Sequence, residues 1–207
     1  MIHYESEQLS PEQQYKLLSG SVVPRPIAWV STLSPDGGVV NLAPFSLFSI
    51  VSKDLPLVSL SIMREGGQQK DTAYNLSQTG EGVIHLVDDQ LLQEMNDSSA
   101  SLPRNESELT KLDVTTVASR RVTVPAIAEA KVRFEGKVYQ HVPIYNQDKS
   151  QIITDLFILE ILAYYFNEEV FDPKTNYLDV LKLKPIARLA GPNYGVMGET
   201  YQLARPK

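Results

Sequence analysis

The sequence predicts a mainly β protein, an antiparallel barrel that is closed or nearly closed, with short peripheral helices. Three observations lead there. Stretches rich in β-branched and aromatic residues recur at 27–33, 57–63, 82–87, 131–138 and 151–166. Helical spacing is confined to short runs between them. Turn-forming clusters of Pro, Gly and Asp separate neighbouring strands closely, as hairpin connections require. At 207 residues and 43% hydrophobic, the chain is long enough for a sizeable core and is read as one domain, 1–207.

Taken in order, Ser10-Pro11 with Gln13 has the form of a helix start: a capping hydroxyl, proline at the first position and a side chain that reaches back. That helix is expected to reach about Leu18 and to stop at Gly20. Residues 27–33 form a strand, Ser34-Pro35-Asp36-Gly37-Gly38 a tight turn, and the strand resuming at Val39 ends at Pro44. Lys53-Asp54-Leu55-Pro56 supplies turn chemistry before a third strand, 57–63, and Gly66-Gly67 a loop after it. Lys70-Asp71-Thr72 precedes a helix over 73–79 that Gly80 ends, with Asp71 or Thr72 placed to cap it. Residues 82–87 are a strand. Leu91, Leu92 and Met95 share one side of a helical run over 91–96. Residues 99–112 make a polar excursion with a short helix, 131–138 a strand with one wet face, and 151–166 a long, bent strand. The tail from about residue 173 has too little apolar periodicity to fold alone and is expected to pack on the barrel or on a partner subunit.

Composition excludes several functions. The 19 basic and 25 acidic residues are interspersed and give a net charge of −6, which argues against nucleic acid or an anionic membrane as partner. With no cysteine there is no disulfide, thiolate metal site or cysteine nucleophile, so redox chemistry needs a bound cofactor. No secretory signal or apolar run of bilayer length is visible, and a soluble cytoplasmic protein is the expectation. His3, His85 and His141 fit no Ser-His-acid or metal-ligand pattern, and a lone strand histidine such as His85 reads as structural. No glycine-rich dinucleotide fingerprint is present.

Ser31, Thr32, Asn41 and Ser46 bring polar groups to strands otherwise suited to a core, where unpartnered groups are costly. They either face water or meet a polar ligand. The helix start at Lys70-Asp71-Thr72, with Arg64 nearby, either caps a surface helix or suits a phosphate. Trp29 reads as core or interface.

The ordered set Pro24-Arg25-Pro26-Ile27-Ala28, Val30-Ser31-Thr32, Asn41-Leu42-Ala43-Pro44-Phe45-Ser46, Lys70-Asp71-Thr72 and Asn75 continues through residues 94–100 and 183–189 to Tyr194. It resembles the flavin reductase-like, FMN-binding split-barrel family, in its flavoredoxin-like branch. The resemblance implies an FMN-dependent oxidoreductase, either an NAD(P)H:flavin reductase or a flavoredoxin-like electron carrier, with NADH or NADPH as co-substrate. It implies a homodimer with the flavin at or near the subunit interface, and a protein electron donor or acceptor as a further partner. The site residues it implies are Arg25, Ser31, Thr32, Asn41, Ala43, Ser46, Ser61, Arg64, Lys70, Asp71, Thr72, Asn96 and Tyr194. Of these, Lys70, Thr72, Arg64 and Ser46 would hold the phosphate, and Ser31, Thr32, Asn41 and the backbone at Ala43 would meet the ring. No catalytic side chain is assigned, because the flavin itself carries the electrons. The glycine-histidine segment that some members use for nicotinamide is not found here. The alternative is a split barrel that has lost flavin turnover and serves as a binding or assembly module.

Overall fold

The computed structural model describes residues 1–204 and 206. In chain order it contains α1 (Pro11–Ser21), β1 (Arg25–Pro26), β2 (Ala28–Leu33), β3 (Val40–Phe45), β4 (Phe48–Ile50), β5 (Leu57–Met63), α2 (Asp71–Thr79), β6 (Glu81–Leu86) and α3 (Leu92–Asp97). After a 3-10 turn at Glu108–Lys111 come β7 (Thr116–Val117), β8 (Ala126–Ile127), β9 (Val132–Tyr145) and β10 (Ile152–Phe166). The tail adds β11 (Phe171–Asp172), β12 (Tyr177–Leu178), α4 (Val180–Leu183), β13 (Ala187–Arg188) and β14 (Tyr194–Gly195).

Seven strands form one antiparallel sheet in the order β3-β2-β6-β9-β10-β5-β4. Its two edges, β3 and β4, are joined by Ser46 and Leu47 alone, so the sheet has to curl until they lie side by side without pairing to each other. That is a split barrel, as the sequence predicts. Pro44 sits on β3, an edge strand, where its missing N–H breaks no ladder.

The long strands provide the curvature. β9 runs past the expected end at 138 to Tyr145, because its partner β10 continues opposite it to a tight turn in which Asn146 N–H donates to Gln151 O at 3.0 Å. Three register shifts, at Ile152/Thr154, Ile158/Leu159 and Ile161/Ala163, bend β10 as its sequence suggested. Gly136 lies beside the last of these. A Cβ there would come within 3.3 Å of Glu160 O.

Val30, Leu60, Ile62, Ile84, Phe157 and Leu159 fill the barrel interior, and Ala73 and Leu76 of α2 join this core. α2 starts at Asp71, and its N-cap is Lys70 rather than Asp71 or Thr72; Lys70 makes no side-chain capping bond. Gly80 ends the helix at φ 70°, a conformation costly for a residue with a Cβ. A second core forms on the outer side of β2, around Ile27, Trp29, Leu42, Met95 and Ile127. The tail closes it: Ile186 is buried there and its N–H donates to Val87 O at 2.8 Å. This fixes β13 and β14 beside β1 as a small sheet, β1-β13-β14. α1 has the expected Ser10–Gln13 capping box but runs through Gly20 to Ser21.

His85 is structural. Its Nε2 accepts the Ile127 N–H at 2.9 Å, so the neutral ring donates from Nδ1 to Trp29 O at 2.8 Å. Burial, followed by nearby Arg133, pushes its pKa down to about 4. Trp29 is fully buried, and its indole N–H donates to Ser98 Oγ at 2.8 Å.

Candidate cofactor site along the open edge of the barrel

Four of the polar residues singled out by sequence, with Glu108, form one buried network. Asn75 Nδ2 donates to Thr32 Oγ1 at 3.0 Å, and Thr32 Oγ1 to Asn41 Oδ1 at 3.3 Å. Asn41 Oδ1 also accepts from Thr72 Oγ1 at 2.6 Å. On its other side, Asn41 Nδ2 donates to Glu108 Oε1 at 3.0 Å, and the Leu42 N–H donates to Glu108 Oε2 at 2.9 Å. Burial raises the pKa of Glu108, with nearby Asp71 adding to the rise, while the Leu42 and Asn41 donors pull it down. The network ties α2, β2 and β3 to the 3-10 turn, so the strand edge and the helix start hold a fixed relation.

Two adjoining cavities open on that edge. The first, of about 410 Å³, lies between Asn41–Phe45, the start of α2 and the Ser98–Leu102 loop. The second, of about 530 Å³, lies between Pro44–Ser46, Asn96 and the β1-β13-β14 sheet. Pro44, Phe45, Lys70 and Ser99 line both, so the two cavities make one groove with Lys70 on the wall common to them. Lys70 takes part in no ion pair among the described residues. At the mouth of the first cavity, Arg104 pairs with Asp71 at 2.7 Å and stacks 4.3 Å over the Tyr74 ring. The Ser101 and Leu102 N–H groups find no protein acceptor among the described residues.

Residues 19–181 match a family model described as a flavin reductase like domain. The chain belongs to the flavin reductase-like family. It is 45% identical to the uncharacterized protein YwrF of Bacillus subtilis, with all of both chains covered. Among solved structures it is similar to nitrilotriacetate monooxygenase component B from Bacillus cereus, at 35% identity and a TM-score of 0.93 over 98% of each chain. It is also similar to the Pseudomonas fluorescens 2-nitrobenzoate 2-nitroreductase NbaA, at 30% identity and a TM-score of 0.86, over 99% of this chain and 96% of that one. Flavoredoxin of Desulfovibrio vulgaris shares the fold, at 19% identity and a TM-score of 0.74 over 88% of this chain and 92% of that one.

In this flavin reductase-like chain the groove brings together Arg25, Asn41, Ala43, Ser46, Lys70, Asp71, Thr72, Asn96 and Tyr194. Four predicted residues lie elsewhere. Ser31 is buried and its hydroxyl donates to Pro125 O at 2.7 Å. Thr32 lies behind Asn41 in the network and touches the groove only through it. Ser61 sits in β5 opposite Leu156, away from both cavities.

Arg64 is the clearest correction. Its guanidinium forms a two-pronged pair with buried Asp155, at 2.8 and 2.9 Å, and so is not available to a phosphate. Burial alone would raise the pKa of Asp155, yet Arg64 and His141 hold it below the usual range. Sequence reading assigned no site role to Glu108, Arg104 or Arg188, and it marked the Ser99–Leu102 loop only as part of the polar excursion over 99–112. Only the quoted run over 94–100 and the Arg188-Leu189 end of the tail motif pointed toward them.

Proposed function

We propose that this protein is a flavin-dependent oxidoreductase that uses FMN, with NADH or NADPH as electron donor. The observation that carries the reading is the groove on the unpaired β3 edge, with apolar walls at Pro44 and Phe45 and a Lys70 ammonium that takes part in no ion pair among the described residues. The residues present fit FMN. Lys70 and the open amides of Ser101 and Leu102 would take the phosphate, with Thr72 at the floor. Ala43, Pro44 and Phe45 offer apolar walls for the ring, and Ser46 and Asn96 offer polar groups beside them. A bound flavin supplies two-electron acceptance and release at its ring.

The chain's own contribution is binding, orientation and exclusion of water. The Glu108-Asn41-Thr72 network fixes β3 against the start of α2, so that the apolar walls and the phosphate donors keep one spacing. Relatives named as a monooxygenase component and a nitroreductase support redox chemistry at this site.

The same reading includes a homodimer. Leu156 and Ile158 of β10 and Val142 of β9 lie on the outward side of the barrel, partly exposed, with Ser59 and Ser61 beside them, and offer apolar contact to a second copy.

Steady-state oxidation of NADH and NADPH, with FMN added, tests the activity. Turnover that requires both flavin and protein is expected. No oxidation of either nucleotide would reject the reductase assignment and leave an electron carrier. Light scattering of the flavin-bound protein is expected to give twice the chain mass, and a monomer would reject the dimer.

A further inference from the structure

Among the described residues, the second cavity is lined by three cations, Arg25, Lys70 and Arg188, and by no carboxylate, in a chain of net charge −6. The arrangement is unusual in its register. Arg25 of β1 lies directly opposite Arg188 of β13, and Arg188 lies opposite Tyr194 of β14. Like charges facing each other across an antiparallel pair are destabilising. Elsewhere among the described residues, six Lys or Arg side chains have acidic partners: Arg64, Arg104, Lys131, Lys137, Lys182 and Lys184. Neither Arg25 nor Arg188 pairs with a carboxylate among the described residues.

The two arginines differ in what remains free. Arg25 is buried, and its donors reach Ser46 Oγ and the carbonyls of Ser19, Val22 and Leu189. It is a fixed positive charge in the cavity wall. Arg188 donates from Nη2 to Gly191 O at 2.7 Å and lies 4.6 Å over the Tyr194 ring. Its Nε and Nη1 groups have no acceptor among the described residues, and Tyr194 is itself fastened to Asn96 Oδ1 at 3.2 Å. A half-buried guanidinium braced in this way is preorganised to grip a planar or tetrahedral oxyanion.

We propose that this cavity is a second anion site, in which Arg188 receives the oxyanion group of the substrate that exchanges electrons with the flavin. The proposal rests on the flavin reading above, with the flavin phosphate at Lys70 and the second substrate entering from the β13-β14 side. The shared chemistry is an organic oxyanion next to a flat ring. It can come from the diphosphate of a nicotinamide dinucleotide or from an aromatic carboxylate.

The test is calorimetric titration of the FMN-loaded protein with inorganic pyrophosphate and, separately, with benzoate. Wild type, Arg188→Met and Arg188→Lys are compared. At least one probe is expected to bind wild type, about tenfold or more weaker in Arg188→Met and with an intermediate loss in Arg188→Lys, which keeps charge without the fork. Binding is also expected to weaken as salt is raised. Preference for pyrophosphate identifies the dinucleotide source, and preference for benzoate the carboxylate. The Lys variant and thermal unfolding of all three proteins separate loss of the site from loss of the fold.

Equal affinities in wild type and Arg188→Met, or no binding of either probe, would overturn the proposal. So would an Arg188→Met protein that loses FMN affinity while keeping riboflavin affinity, since the flavin phosphate would then occupy this cavity. If the flavin reading itself fails, FMN does not bind wild type at all. Titration of the flavin-free protein then still tests whether Arg188 holds an oxyanion.

Discussion

Replacing Glu108 by Ala removes the one acceptor shared by two buried donors, Asn41 Nδ2 at 3.0 Å and the Leu42 N–H at 2.9 Å. A buried donor left without a partner costs about 1–3 kcal/mol. Two of them set an upper range of about 2–6 kcal/mol. Part of this is offset because the carboxylate is itself desolvated, as its raised pKa indicates. Water entering the space left by the side chain offsets more. A net loss of about 2–4 kcal/mol is expected, which at a urea slope of about 2 kcal/mol/M lowers the midpoint by about 1–2 M with the slope unchanged. Glu108→Gln keeps one acceptor but turns an amide NH2 toward the other donor, so about half that loss is expected. The assay is urea unfolding followed by tryptophan fluorescence, since Trp29 is fully buried. An Ala variant within about 0.5 kcal/mol of wild type would refute the claim that this network fixes the edge of the barrel.

Three further outcomes follow from the same geometry. Ser98→Ala strands the buried Trp29 indole N–H and should cost about 1–3 kcal/mol, read as a lowered unfolding midpoint. Gly80→Ala should cost about 1 kcal/mol through backbone strain alone, because φ is 70° and a Cβ would meet nothing within 4 Å; a larger loss would mean that packing was disturbed. Because the pKa of His85 falls from 6.5 to about 4 on folding, the unfolded chain takes up the proton first as pH falls. Its contribution, on the order of 3 kcal/mol, is full above pH 6.5 and is lost progressively toward pH 4. Glu108, with a raised pKa, acts with the opposite sign, so the Glu108→Gln protein should show the steeper acid loss in urea unfolding measured from pH 7.5 to 4.5.

The hairpin of β2 and β3, the long bent β10 and the Gly80 stop of α2 were legible because period-2 apolar runs and turn residues are local signals. The end of β9 was not, because its last residues are held by pairing with β10 rather than by their own alternation. The same division runs through the site. Asn41, Ala43, Lys70 and Thr72 fell on a motif and lie in the groove. Arg64 was misread because its partner, Asp155, is on β10, far along the chain. Glu108 was invisible for a related reason: it lies in a polar excursion with no periodicity, and only the fold brings it to the edge of β3. The facing of Arg25 and Arg188 pairs the first strand, β1, with β13 near the other end of the chain, which no local pattern reports.

The measurement that tests the central claim most directly is a titration of the purified, desalted protein with FMN and with riboflavin, in wild type and in Lys70→Ala. Saturable binding of both flavins to wild type is expected, with the Lys70→Ala change weakening FMN about tenfold or more and riboflavin little, because only FMN carries the phosphate that the Lys70 ammonium would hold. A wild-type protein that binds neither flavin would contradict the reading of this groove as a flavin site, and equal losses for both flavins would contradict the assignment of Lys70 to the phosphate.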